Sequence, residues 1–196
     1  MDFRLTIQTE FTKWPLLLNS DQMGFSKEMN SSRTLSHTNE KVTFLAVRST
    51  NNVSHSYTVQ PIISYDRGLM DNVFLCLYEP KGRFGERVKE SMFKTSNVIV
   101  SCRTSGKLSN SHIMFWVENC LKPIVKDEHF MLILDSWAGH KDNSLYQTFG
   151  SKIALHIIPT RTTATTQPLD VFFNYWWKYV ARRLTNYVIV EDIKID

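Results

Sequence analysis

Asp21 in Leu-Leu-Leu-Asn-Ser-Asp-Gln, Asp135 in Met-Leu-Ile-Leu-Asp-Ser-Trp and Asp170 in Gln-Pro-Leu-Asp-Val are the residues best placed to do chemistry. The first two follow apolar runs that read as buried strands, and the third opens an aromatic-rich helix. Carboxylates at the ends of core elements stand on a rigid floor, where a protein can hold a divalent metal. Mg2+ prefers oxygen ligands and usually takes one or two carboxylates, leaving sites for water and phosphate oxygens. Two such ions roughly 3.5–4 Å apart clamp the attacking and leaving oxygens of an in-line displacement. Three carboxylates suit that arrangement, one bridging the metals while the others each hold one. The 34 residues between Asp135 and Asp170 are enough for a short helix, a strand and a loop that bring the chain back to the same sheet end. Each acid also has a plainer reading. Asp170 can cap the final helix or complement its dipole, and Asp21 and Asp135 can be turn residues. Their occurrence together is what points to metal-dependent phosphoryl transfer.

The elements that must position these acids follow from periodicity and turn chemistry. Residues 14–18 form an apolar strand ending near Asp21, and residues 26–40, rich in Ser, Asn and Thr, form a loop. Residues 41–49 and 54–64, separated by Thr50-Asn51-Asn52, are expected to pair as an antiparallel hairpin. Pro61 lacks an N–H, so it is expected at a sheet edge or a bulge. A further strand is expected at 73–77, a short helix from about Glu86 and a β-branched strand at 97–100. Ile113, Trp116, Val117, Cys120, Leu121 and Ile124 recur at helical spacing, with Ser109 or Ser111 available as N-cap. Residues 129–134 read as a buried strand ending at Asp135, 143–149 as a short helix, and 153–158 as another strand stopped by Pro159. A Thr-rich loop then leads to a helix over 170–187. Antiparallel strands first, then strands alternating with helices, predict an α/β fold with a mixed sheet and helices on both faces. One domain is expected over residues 14–190, after a short lead-in at 1–13.

Composition bounds the function without choosing it. With 42% hydrophobic and 21% charged residues the chain is ordinary for a globular protein, which excludes disorder. A net charge of +4 permits an anionic partner without requiring one. Cys76, Cys102 and Cys120 contain no Cys-x-x-Cys pair, so neither a disulfide framework nor a zinc site is expected. No apolar run approaches the roughly 18 residues of a membrane span, so no membrane partner is expected.

Three blocks carry a resemblance to a known family. Asn-Ser-Asp-Gln-Met-Gly-Phe (19–25), Leu-Asp-Ser-Trp-Ala-Gly-His (134–140) and Ile-Pro-Thr-Arg-Thr-Thr-Ala-Thr-Thr-Gln-Pro-Leu-Asp (158–170) resemble the catalytic blocks of DDE superfamily endonucleases. More narrowly they resemble the pogo/Tigger branch of mariner-type transposases, in which the third acid is Asp. The resemblance extends from about residue 14 to 183, and Glu79-Pro80-Lys81-Gly82-Arg83-Phe84-Gly85 is also similar. It implies an RNase H-like fold, a two-metal site with Mg2+ or Mn2+, and DNA strand cleavage and transfer. Asp21, Asp135 and Asp170 would be the catalytic acids and metal ligands. It implies DNA as partner, allows a homodimer, and implies a nuclear location.

His140 lies in the second block and could orient a phosphate or a water; it can equally be a surface turn histidine. Lys81, Arg83, Arg87, Lys89, Arg103 and Lys107 could neutralise DNA phosphates, although a mixed charge run is also the mark of a solvated helix face. Phe172, Phe173, Trp176, Trp177 and Val180 recur at helical spacing and are expected in the core, with Lys178, Arg182 and Arg183 on the other face. Members of the branch resemble one another in carrying helix-turn-helix modules ahead of the catalytic domain, and about 13 residues precede the first strand here. The alternative to an endonuclease is therefore a domesticated or truncated nucleic-acid-binding protein without catalysis. An RNase H-like nuclease acting on RNA is a third reading.

Overall fold

The structure, a computed structural model, describes residues 13–26, 38–39, 56–159, 167–191 and 193. The strand expected at 41–49 lies outside the described residues. Nine strands are described: β1 (Leu16–Ser20), β2 (Met23–Ser26), β3 (Ser56–Gln60), β4 (Ile62–Ser64), β5 (Gly68–Leu69), β6 (Val73–Tyr78), β7 (Val98–Arg103), β8 (Phe130–Leu134) and β9 (Ile153–Ile157). They form a five-stranded sheet in the order β5-β4-β1-β8-β9 and a four-stranded sheet in the order β2-β3-β6-β7.

The two sheets share one register. β1 pairs antiparallel with β4 through Leu18↔Ser64, and β2 pairs with β3 through Met23↔Val59. Five residues forward on one strand match five residues back on the other, so β1–β2 and β3–β4 are each one long strand with a break. The break falls at Asp21–Gln22 opposite Pro61. Proline has no N–H to give the ladder, and the Ser20 hydroxyl instead donates to the Pro61 carbonyl at 2.7 Å. Pro61 therefore sits in an interior strand, flanked by β1–β2 on one side and by β5 and β6 on the other, not at an edge. The partner of 56–64 is likewise the first strand. The hairpin expected with 41–49 involves residues outside those described.

From there the sheet is mixed, as expected. β3 pairs antiparallel with β6, while β6–β7, β1–β8 and β8–β9 are parallel. β8 is buried at every position, which suits a parallel strand covered on both faces.

Side-chain alternation assigns the faces. Leu16 and Leu18 face the main core with Phe74, Cys76, Phe130, Leu132 and Leu134. Against them packs the helical segment made of α1 (Asn110–Trp116), a π-helical turn (Val117–Leu121) and α2 (Lys122–Val125), through Ile113, Trp116, Val117, Cys120, Leu121 and Val125. Each of these is essentially inaccessible to solvent, and burying one such side chain is worth about 1.5–3 kcal/mol. Met23 and Phe25, on the alternate face, pack with Val59 against Phe173, Trp177 and Ala181. The last two belong to α3 (Asn174–Val190), which follows a π-helical turn at Leu169–Phe173. Helices thus cover both faces. A short exposed helix between β6 and β7 spans Glu86–Ser91, and the segment expected as a helix near 143–149 is a 3-10 run, Asn143–Lys152.

Candidate functional site

Strand register brings the first two acids to one level. β1 and β8 are parallel, with Leu16↔Phe130 and Asn19↔Ile133. Two residues further along, the same register sets Asp21 beside Asp135, just past the carboxyl ends of adjacent strands. That is where open α/β sheets expose reactive groups. Both acids also fall on the alternation that includes Met23 and Ile133, so they share the sheet face covered by α3.

Asn19 fixes the third acid to this place. Its Nδ2 donates to the Ile133 carbonyl at 3.0 Å, and its Oδ1 accepts from the Leu169 backbone N–H at 3.1 Å. The Gln167 Nε2 donates to the Ser20 carbonyl at 3.3 Å. The turn that carries Asp170 is thereby tied to β1 on both sides of Pro168. One helical turn on, the Asn174 Nδ2 donates to Asp21 Oδ2 at 3.1 Å and to Asp170 Oδ1 at 2.9 Å. Asn174 is 4% exposed and Asp21 is 6% exposed.

The Asp21 carboxyl is raised to about 7, first by burial, then by the Asp170 charge, then by Asp135, with a hydrogen bond to Asp170 acting in the same direction. A carboxyl in a poorly solvated site beside other carboxylates does not ionise freely, so Asp21 holds its proton below neutrality. Asp135 is held differently. His140 is fully buried, and its Nδ1 lies 2.6 Å from Asp135 Oδ1. With Nδ1–H donating to the carboxylate, Nε2 is left as acceptor for the Gln22 amide at 3.4 Å and the Gln60 amide at 3.5 Å. Trp137 packs edge-on to the imidazole, centroids 5.2 Å apart. His140 is thus a built part of the site and not a surface turn residue.

The expected two-metal site with Mg2+ or Mn2+ is not formed. Among the described residues, no group of three or more His, Cys, Asp and Glu side chains comes together in a way that could hold a metal ion. The donors explain why. Asp21 and Asp170 are directed at each other and at the Asn174 amide, and Asp135 at His140. Asp21 senses the charges of Asp170 and Asp135, but the three acids do not converge as ligands. Cysteine chemistry does not replace a metal. The three cysteines are free, and burial pushes Cys76 up to about 11 and Cys120 to about 12, so both stay protonated near neutrality.

A family model described as "DDE superfamily endonuclease" matches residues 75–194. The chain belongs to the DDE superfamily of endonucleases. Asp135 and Asp170 lie within the matched residues, and Asp21 lies before them. Among solved structures, the "Mos1 transposase paired-end complex with left transposon end" is similar with a TM-score of 0.57 at 9% identity. The likeness covers 98% of this chain and 53% of that one, so the chain spans about half the length of the Mos1 chain. At this identity the likeness speaks for the fold alone. A search of curated proteins finds no match.

Within this DDE fold, the basic residues named from sequence gather away from the acids. Lys81 and Arg83 lie in the exposed turn after β6, Arg87 and Lys89 on the exposed helix Glu86–Ser91, and Lys107 in the exposed turn after β7. The Glu79 N–H donates to the Arg103 carbonyl at 2.9 Å, so both groups meet at one sheet edge. That edge is about five residues along β6 from the level of Asp21, on the order of 17 Å. Arg103 is half-buried, and its guanidinium donates to the Leu108 carbonyl at 3.1 Å, holding the turn instead of standing free. Among the described residues, no helix is long and apolar enough to cross a membrane.

Five residues of the site were given no role in the sequence reading: Asn19, Gln22, Gln60, Gln167 and Asn174. Asn174 had a signal, since four residues after Asp170 is the neighbouring position on one helix face. Gln60 had none, because its part depends on the strand pairing. The Gln60 Oε1, Gln167 Oε1 and Asn174 Oδ1 are buried without a hydrogen-bond partner among the described residues.

Proposed function

We propose that this chain is a DNA endonuclease domain of the pogo/Tigger type, breaking phosphodiester bonds at Asp21, Asp135 and Asp170. The observation that supports the reading is the register that sets Asp21 beside Asp135, together with the Asn174 amide that joins Asp21 to Asp170, with the Asp21 carboxyl raised to about 7. Water would attack phosphorus and pass its proton to an ionised carboxylate, while the bond to the departing sugar oxygen would break and that oxygen would take up a proton from solvent. A carboxyl that titrates near neutrality suits that acceptor role. His140 acts through Asp135, fixing the orientation of its carboxylate. Lys81, Arg83, Arg87, Lys89 and Lys107 would meet the DNA backbone at the neighbouring sheet edge, with Arg103 shaping that turn. Homodimer formation and a nuclear location go with this reading.

A second reading has its own support. Asp135 is already engaged by His140, and no metal-holding cluster occurs among the described residues. Both fit a domesticated DNA-binding protein that keeps the fold without cleaving. Conversion of supercoiled plasmid to nicked circles, run in parallel in EDTA and in magnesium buffer, separates the two. Nicking that is lost on Asp135→Asn supports the endonuclease. DNA binding without nicking in either buffer supports the second reading.

A further inference from the structure

We propose that the outward face of α3 is a platform on which unpaired DNA bases stack as the strand leaves the Asp170 end of that helix. This rests on the endonuclease reading for its substrate, and deepens it by naming the form of DNA that is held. The sequence expectation put Phe172, Phe173, Trp176, Trp177 and Val180 in the core, and Trp176 and Val180 are instead exposed. The structure divides them. Phe173 and Trp177 pack inward on Met23, Phe25 and Val59, whereas Tyr175 and Trp176 are each 62% exposed and Tyr187 is 59% exposed. Tyr179, Val180 and Leu184 extend the same apolar surface.

The charge on this helix selects the occupant. Lys178, Arg182 and Arg183 are its ionisable cations, and no carboxylate occurs between Asp170 and Glu191. Among the described residues none of the three cations forms a salt bridge. A second copy of the same helix would set like charges against each other, whereas a polyanion would be attracted. Arg183 already lies 5.9 Å from the centre of the Tyr179 ring, and the rings of Tyr175, Trp176 and Tyr179 meet edge to face. This packing holds the rings upright while leaving most of Trp176 open. Aromatic rings beside cations are the two parts of a single-strand binding surface: every base has a face that stacks, and the backbone phosphates pair with the cations. Trp176 is six residues beyond Asp170, about 9 Å along the axis, and Tyr187 about 26 Å. A strand departing from the acids would therefore meet Tyr175 and Trp176 first.

The test uses the full chain in EDTA, with a fluorescent 15-nucleotide single strand and the matching duplex, read by anisotropy. Trp176→Ala and Tyr179→Ala should each weaken single-strand binding about tenfold and duplex binding much less. Arg182→Ala with Arg183→Ala should lower the salt slope of single-strand binding by about 0.7 for each cation removed. All four positions are on the outer helix surface, and circular dichroism checks that the fold is retained. Single-strand affinity within about twofold of the parent for both aromatic variants overturns the platform. So does a parent dimer that the aromatic substitutions make monomeric while DNA binding stays intact. A chain that binds single strands through Trp176 yet never nicks plasmid supports the platform and refutes the endonuclease reading. A chain that nicks plasmid but binds strands equally well without Trp176 does the reverse.

Discussion

Asp135 and His140 are joined by a 2.6 Å contact from the imidazole Nδ1 to the carboxylate Oδ1, and the histidine is wholly buried. Five residues apart, they are brought together by the 3-10 turn Ala138–His140, which folds the chain back immediately after β8. The bond leaves Nε2 directed at the amides of Gln22 and Gln60, from the two long strands broken at Asp21 and Pro61. One side chain thus links the carboxyl end of β8 to the interruption in the neighbouring strands.

His140→Ala should therefore destabilise the fold by about 2–4 kcal/mol. It opens a cavity and leaves one carboxylate and two amides without their partner. Urea unfolding measures this, and a loss below about 0.5 kcal/mol would mean the histidine is not the link described.

Gly139 makes the same turn possible. A Cβ there would lie 1.9 Å from the Trp137 ring, far inside contact distance. Gly139→Ala should displace that ring from its edge-on contact with His140, shift tryptophan emission and lower the melting temperature. An unchanged emission spectrum and melting temperature would show that the ring has room to spare.

Asp21 ties stability to pH in a direction opposite to the common carboxylate case. Its folded value of about 7 exceeds the ordinary 3.8, so the folded state holds an extra proton between the two. The stability this proton contributes is complete below 3.8 and is lost as pH rises through about 7. Asp21→Asn removes the buried charge, and its amide can still donate to Asp170. The variant should match the parent near pH 4 and exceed it above about pH 8, by an upper bound on the order of 4 kcal/mol. Melting curves across that range decide it, and parallel profiles for the two proteins would contradict the assignment.

Asn19 predicts a purely structural effect on the third acid. Asn19→Ala frees the Leu169 N–H and the Ile133 carbonyl, both buried, at a cost of about 1–3 kcal/mol. Hydrogen exchange at the start of the last helix should speed up more than exchange in β9. Uniform acceleration would show that Asn19 does not single out the Asp170 turn.

Much of this was legible because it is local. Strand and helix positions around Asp135 follow from apolar runs and helical spacing, and the mixed sheet follows from their order. The partner of 56–64 was not legible, because pairing depends on which distant strand is most buried, and sequence neighbours are only a default. Pro61 was expected at an edge or a bulge for the sound reason that it breaks a ladder. The fold uses that break in an interior strand, beside the acid that needs to leave the sheet. The three acids were singled out from position and motif. Their electrostatic state was not, since it depends on Asn174 and His140 occupying directions that a bare motif leaves open. The aromatic helix was half-read, because a helical spacing that buries Phe173 and Trp177 also turns Trp176 outward.

The most direct test of the account is plasmid nicking by the parent chain beside Asp21→Asn, Asp135→Asn and Asp170→Asn, each first shown to be folded. The account predicts nicking by the parent and a loss of about 100-fold or more in each variant, a scale expected for groups acting at the reacting phosphate. Equal nicking by the parent and all three variants would contradict it.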